Sequence, residues 1–361
     1  MSDNEVPRQG LTYRDAGLDL DLYEETIAGI GPLLRRTHTA RVLEGFGGFA
    51  SLFSLDFNER LFQKNYRHPV LVTCSDGVGT KLKIAIGLNK HDTVGIDLVA
   101  MSVNDALCTG GEPLAFLDYI AMAKDDPELT RSLVEGISQG CLESDCCLVG
   151  GETAILPDFY APGDYDMAGF CVGVVERDRI INGKAIRVGD KVVGLASTGF
   201  HSNGYSLVRK VVFDHAKLKL ANHIPEFDKT IGEALLEPTR IYVRAIHELL
   251  FHYPVKRRVI RGLAHITGGG LPGNVPRILP PGKRVRIQRG SWDIPQVFSW
   301  LQSLGNIAQE EMDNVFNMGI GFVVIVSPYF AESVQRQLTD SGIRTWIIGD
   351  VIEGEPGVQM V

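Results

Sequence analysis

The six cysteines of this 361-residue chain, Cys74, Cys108, Cys141, Cys146, Cys147 and Cys171, include no C-x-x-C pair. That argues against a zinc site and in favour of small core residues in a reducing compartment. Positive charge is not in excess either. With 36 Lys and Arg against 44 Asp and Glu, the formal net charge is -8, and a chain without a basic footprint cannot displace counterions from nucleic acid. No apolar run approaches the roughly 20 residues that span a bilayer; Gly319 to Val326 is typical of the short stretches present. The polar opening Met1-Ser2-Asp3-Asn4-Glu5 fits no signal peptide, so a soluble, cytoplasmic protein is expected. No repeat of roughly 20 to 50 residues points to a solenoid. Trp292, Trp300 and Trp346 are too dispersed to form a base-stacking platform.

Glycine, in contrast, is abundant at 40 residues, gathered in short loops that let backbone N–H groups approach a ligand. Hydrophobic residues at 44% and charged residues at 22% describe an ordinary folding chain, and its length exceeds the roughly 250 to 300 residues at which single cores stop growing. Two domains follow, 1–180 and 181–361, divided near the polar stretch Glu176 to Arg179. Short β-branched runs at 70–74, 115–120, 147–149, 170–175 and 191–196 predict strands. Helices are predicted over 98–108, 127–143 (Asp126 as N-cap, Pro127 first), 204–213, 239–251, 271–278 and 328–339. The fold class is α/β with mixed sheets.

Three carboxylates follow strands or glycines in ways that suit a metal-bridged anion. Asp76-Gly77-Val78-Gly79-Thr80-Lys81 offers oxygen for Mg²⁺ and bare backbone with an ammonium for phosphate, though it is not a Walker A loop. Alone it reads equally well as a tight turn. Asp97 and Asn104 fall within roughly 20° of each other around a helix, with Asp105 on the adjoining flank; Asp97 also reads as a helix cap. Gly150-Gly151-Glu152 repeats the pattern after another strand. Three further glycine loops, Glu44 to Ala50, Ser197 to Tyr205 with His201, and His265 to Gly270, are candidate phosphate covers, although the first more often means a turn and a lone loop histidine such as His201 is usually polar surface.

On these residues the chain resembles the phosphoribosylformylglycinamidine cyclo-ligase (aminoimidazole ribonucleotide synthetase) family over nearly its whole length. The motifs include Tyr13 to Asp19, Gly47-Gly48-Phe49, Asp76 to Lys81, Gly95 to Met101, Val103 to Asp105, Gly150 to Ala154, His201 to Lys210, Pro238 to Tyr242, His265 to Gly270 and Phe316 to Gly321. The resemblance implies ATP- and Mg²⁺-dependent closure of formylglycinamidine ribonucleotide to aminoimidazole ribonucleotide. It also implies a homodimer whose N-terminal sheets join into a barrel. Carried over by position, Asp76, Asp97, Asp105 and Glu152 become metal ligands, and Asp105, His201 and Lys81 catalytic residues. Gly47, Gly48, Phe49, Asp76, Gly77, Gly79, Thr80, Asn104, Gly151, Thr267, Gly268 and Gly269 would bind the nucleotide or substrate phosphate. The chain departs from the family pattern at Arg14, Ala50, Gly273 and Asp313-Asn314-Val315. A kinase-like relative of the same superfamily and a non-catalytic nucleotide-binding scaffold are the alternatives.

Overall fold

Alternation in Pro69–Gly77, where every second residue is exposed, marks a strand with one face turned to a core and one turned outward. The computed structural model describes residues 20–44, 50–58, 63–64, 66–253 and 258–361; Gly47, Gly48, Phe49, Arg14 and the motif at 13–19 lie outside them. In the first half, helix α1 (Leu20–Arg35) precedes four short strands, β1 (Val42–Glu44), β2 (Leu52–Phe53), β3 (Phe57–Asn58) and β4 (Gln63–Lys64). Then come β5 (Pro69–Gly77), α2 (Leu82–Leu88), α3 (Val94–Leu107), β6 (Glu112–Met122), α4 (Pro127–Glu143), β7 (Cys147–Ile155) and β8 (Tyr165–Glu176). The four long strands form one sheet in the order β5-β8-β6-β7, antiparallel except for the β6–β7 pair.

α3 and α4 cover the inner face of this sheet, and glycine lets them close on each other. A Cβ at Gly95 would lie 2.2 Å from the Ile137 amide nitrogen, and one at Gly136 would lie 2.3 Å from the Asp92 carbonyl. α4 begins as its sequence predicts, with the Asp126 carboxylate accepting from the Leu129 amide at 3.0 Å and Pro127 in the first turn. Asp97 is not a cap, because α3 already starts at Val94. On the outer face, the β1–β2 pair packs Val42 and Phe53 over Ala115, Cys147 and Val149. Leu71, Tyr119 and Phe170 remain exposed there.

The second half contains β9 (Lys191–Ala196), α5 (Tyr205–Arg209), β10 (His223–Ile224), β11 (Lys229–Thr230), α6 (Ile231–Leu236), α7 (Val243–His252) and β12 (Ile260–His265). It continues with α8 (Gly270–Asn274), β13 (Lys283–Ile287), α9 (Gln296–Gly305), α10 (Gln309–Val315), β14 (Ile320–Val326), α11 (Ala331–Asp340), β15 (Thr345–Glu353) and β16 (Val358–Met360). Six strands form a mixed sheet, β12-β14-β9-β15-β13-β16. One apolar cluster runs from Val78, Leu98 and Phe116 through Leu195, Tyr242 and Phe322, so the halves share a core across their seam. A second fills the far face of the larger sheet around Val192, Ile266 and Ile320. Neither large sheet closes among the described residues, so a single chain leaves the barrel expected across a homodimer unformed. One expectation needs correction: the helix predicted from 239 begins only at Val243, because Asp97 and Asn104 of the first half bind the backbone of Thr239–Tyr242. No helix among the described residues is long and apolar enough to cross a membrane.

Candidate active site

The seam brings the end of β5 and the flank of α3 against two glycine loops of the second half. Ser202 Oγ donates to the Val78 carbonyl at 2.8 Å, and Thr80 Oγ1 lies 3.3 Å from Ser206 Oγ. Gly79, at φ +71, makes the turn between them in a conformation disfavoured for other residues. A Cβ on Gly268 would stand 3.7 Å from Asn203 Oδ1, so the loops at 199–204 and 267–270 are neighbours. Asn274 holds the second of these, its amide nitrogen donating to the carbonyls of Thr267, Gly268 and Gly270.

Asp76 and Asp105 lie at this seam, close enough for their charges to interact. Burial pushes the Asp76 carboxyl above its usual range; the Gly77 amide, donating at 2.8 Å, opposes that, and the Asp105 charge reinforces it. Asp105 keeps 40% of its side chain exposed, and its Oδ1 accepts from His265 Nδ1 at 2.9 Å. The His265 ring is buried and fixed by its own backbone, whose N–H donates to Cys108 Sγ at 3.1 Å. His265 opened one of the glycine motifs in the sequence, yet nothing local in that motif reveals that its partner is Asp105, 160 residues away. Two neighbouring carboxylates, both partly exposed, are an oxygen donor set of the kind magnesium takes when phosphate oxygens and water complete its shell.

Four of the predicted site residues are used elsewhere. Lys81 is fully buried and its ammonium is surrounded: Asp97 Oδ1 at 2.9 Å and Oδ2 at 2.8 Å, the His201 carbonyl at 2.9 Å and the Glu237 carbonyl at 2.7 Å. Three N–H bonds meet three acceptor groups, which leaves none for a phosphate. Asp97, equally buried, also accepts from the Thr239 amide at 2.8 Å and hydroxyl at 2.6 Å, so it is no open metal ligand. Burial lowers the Lys81 pKa and raises that of Asp97, and each partner's charge counters the shift. Asn104 is also buried, donating to the Arg240 carbonyl at 2.9 Å and accepting from the Tyr242 amide at 3.0 Å.

His201 is buried in the left-handed region at φ +61. Its Nε2 accepts from the Thr198 amide at 3.2 Å, which places the proton on Nδ1. Burial, then the charges of His265, Lys81 and Arg240, hold it well below the usual histidine range. A β-bulge at Gly321 makes room for it, since a Cβ there would lie 2.4 Å from His201 Cε1 and 2.2 Å from the Tyr242 hydroxyl. Such a ring serves packing better than proton exchange with a substrate.

Glu152 is exposed on β7, the opposite edge of the sheet from β5. Three strand spacings, roughly 14 Å, separate these edges. Alternation turns it to the outer face beside Tyr119, its register partner, while Gly151 lies against Asp118 on the inner face. Asp76, Asp105 and Glu152 are therefore not brought together in one chain, and no three acidic, histidine or cysteine side chains among the described residues converge on a metal position. Asp118 is a buried carboxylate that sequence reading left in its strand. Burial raises its pKa to about 7. At the departure Asp313, the carboxylate pairs with Arg289 at 2.5 Å and accepts from Gln309 at 2.9 Å.

Comparison with known proteins gives matches over both halves. Residues 65–175 match the N-terminal domain of AIR synthase related proteins, and residues 187–361 match the C-terminal domain. A phosphoribosylformylglycinamidine cyclo-ligase of Syntrophus aciditrophicus is 51% identical over 344 residues, 95% of this chain and 96% of the relative. One of Citrifermentans bemidjiense is 48% identical over 351 residues, covering 97% and 98%. Among solved structures, the thiamine-monophosphate kinase of Stenotrophomonas maltophilia shares the fold with a TM-score of 0.65 at 15% identity, covering 92% of this chain and 95% of that one. A hydrogenase maturation protein, HypE, in complex with ATP does so with a TM-score of 0.62 at 16% identity, covering 91% and 88%.

Proposed function

We infer the reaction from a plain premise: this chain belongs to the AIR synthase related family and, within it, to the phosphoribosylformylglycinamidine cyclo-ligases of purine biosynthesis. We propose that it closes formylglycinamidine ribonucleotide to aminoimidazole ribonucleotide, with ATP giving ADP and phosphate. The formyl oxygen is a poor leaving group. Transfer of the γ-phosphoryl to it gives an imidate phosphate; the ribose-bearing nitrogen then attacks the formyl carbon, and phosphate departs with the former formyl oxygen. Positioning and charge stabilisation carry most of such catalysis.

The observation that carries this reading is the pair Asp76 and Asp105 at the seam between the halves, with Asp105 oriented by buried His265. These two carboxylates would hold magnesium, which when bound offsets phosphate charge. His265 keeps the Asp105 oxygen aimed, and the glycine loops at 199–204 and 267–270 let phosphate approach bare backbone. Gly77, Gly79, Thr80, Thr267, Gly268 and Gly269 keep their proposed contact roles. Lys81, Asp97, Asn104 and His201 support the cleft from behind.

The reading also includes a homodimer in the cytoplasm. Among the described residues the sheet presents two open edges, β5 with Asp76 and β7 with Glu152, and an outer face on which Leu71 is 63% and Phe170 45% exposed. Exposed edges and apolar faces of this kind are normally covered. A second copy that joins edge to edge would set the β7 edge of one subunit, with Glu152, against the β5 edge of the other, with Asp76.

Incubation with ATP, Mg²⁺ and formylglycinamidine ribonucleotide tests the assignment: aminoimidazole product and substrate-dependent ADP are expected, and the absence of both overturns it. Asp105→Asn, nearly isosteric, should lower kcat by at least about tenfold while leaving the melting temperature close to wild type. An unchanged kcat at limiting Mg²⁺ removes Asp105 from the site.

A further inference from the structure

Glu237–Tyr242 crosses the seam without forming helix or strand, and buried side chains of the first half hold it along its length. Lys81 takes the Glu237 carbonyl at 2.7 Å, Asp97 the Thr239 amide and hydroxyl at 2.8 and 2.6 Å, and Asn104 the Arg240 carbonyl at 2.9 Å and the Tyr242 amide at 3.0 Å. Three polar side chains, each with no accessible surface, are thus spent on fixing the backbone on both sides of one residue, Arg240.

The side chain so carefully placed has no hydrogen bond and no ion pair among the described residues, and its Nε is buried without a partner. Its positive charge reaches His201 and Tyr242, neither of which neutralises it. Asp97, the buried carboxylate that binds the adjacent Thr239, is already taken up by Lys81 and Thr239. A half-buried guanidinium with no counter-charge is costly, and folds retain one where something outside the chain supplies the anion. Arginine's planar fork suits a phosphate in particular, and a rigid backbone lowers the cost of ordering it.

We propose that Arg240 binds a phosphate group at the seam between the halves, with Glu237–Tyr242 as the strap that presents it. The proposal deepens the cyclo-ligase reading, which supplies two sources of that group: the nucleotide and the phosphate monoester of the ribonucleotide.

The test compares the full-length protein with Arg240→Met and Arg240→Lys by calorimetric titration with Mg²⁺-ADP and, separately, with ribose 5-phosphate, alongside thermal unfolding. The Met variant should weaken at least one of these ligands tenfold or more, the Lys variant should weaken it less, and the melting temperature should stay level or rise because an unpaired charge has been removed. Loss on ADP alone assigns the nucleotide phosphate; loss on ribose 5-phosphate alone assigns the monoester; loss on both assigns a shared subsite. Affinities within threefold of wild type for both ligands in both variants overturn the proposal, as does a lower melting temperature with binding intact. If the Met variant does not fold, the Lys variant must still show the loss. Because neither titration needs turnover, a wild-type protein without cyclase activity would sink the reaction while leaving Arg240 to be judged by binding alone.

Discussion

Asp97 and Asn104 share one flank of α3, as their seven-residue spacing predicts, but what they hold is polypeptide. The helical geometry was legible in the sequence; the partner was not, because Thr239 lies 142 residues further along the chain. Lys81 was open to misreading for the same reason, since a lysine after two glycines looks the same locally whether it meets a nucleotide or a carbonyl. Lys81→Met leaves the Asp97 charge buried and uncompensated, so it should cost about 3–5 kcal/mol in urea unfolding. The double variant with Asp97→Leu should recover part of that loss. A Lys81→Met protein of unchanged stability with a raised KM for ATP would return this lysine to the phosphate site. Asp118 makes a prediction in pH. Its folded pKa of about 7 lies above the ordinary aspartate value of 3.8, so the unfolded chain loses its proton first and folding is penalised increasingly from about pH 4 to pH 7. Asp118→Asn should therefore match wild type near pH 4 and gain stability towards pH 7, by at most about 4 kcal/mol. A difference that stays flat with pH removes the explanation.

At the scale of elements, the sequence was most informative where burial is uniform. Lys191–Ala196 is a strand with the bounds its apolar run predicts, and α4 starts at its predicted cap. It was least informative where a tertiary bond replaces a local one. The periodicity of 239–251 is helical, but the first residues are drawn out straight because Asp97 and Asn104 take their amides. Similarly, the helix predicted over 204–213 widens into a π-turn at Lys210–His215. The α3–α4 crossing depends on the absence of side chains at Gly95 and Gly136. Gly95→Ala forces the helices apart and should destabilise by at least about 1–3 kcal/mol, with the larger share of lost hydrogen-exchange protection in α3 and α4. Protection lost evenly across both halves would mean that the crossing is not the weak point.

For the whole molecule, composition and length pointed to two α/β halves, and family motifs pointed to the reaction, but no residue pattern announced how the sheet edges are completed. Asp76 and Glu152 make that question testable. If each active site draws Asp76 from one subunit and Glu152 from the other, Asp76→Asn and Glu152→Gln are each inactive, yet an equimolar mixture after subunit exchange regains about a quarter of wild-type activity, one site in each mixed dimer being intact. No recovery, with exchange verified by mass, would place the two carboxylates in independent roles. Leu71→Asp on the outer face should shift the sedimentation coefficient towards the monomer at low concentration.

The strap at Glu237–Tyr242 has a consequence in time. Lys81, Asp97 and Asn104 bind its amides and carbonyls from the first half, and Thr198 takes the Pro238 carbonyl; all of these leave the ribosome before it does. Chains fold from the N-terminal end as they are made, so α3 can stand finished as a template when the strap emerges. A circular permutant that synthesises the second half first should fold more slowly and aggregate more, although its finished contacts would be the same.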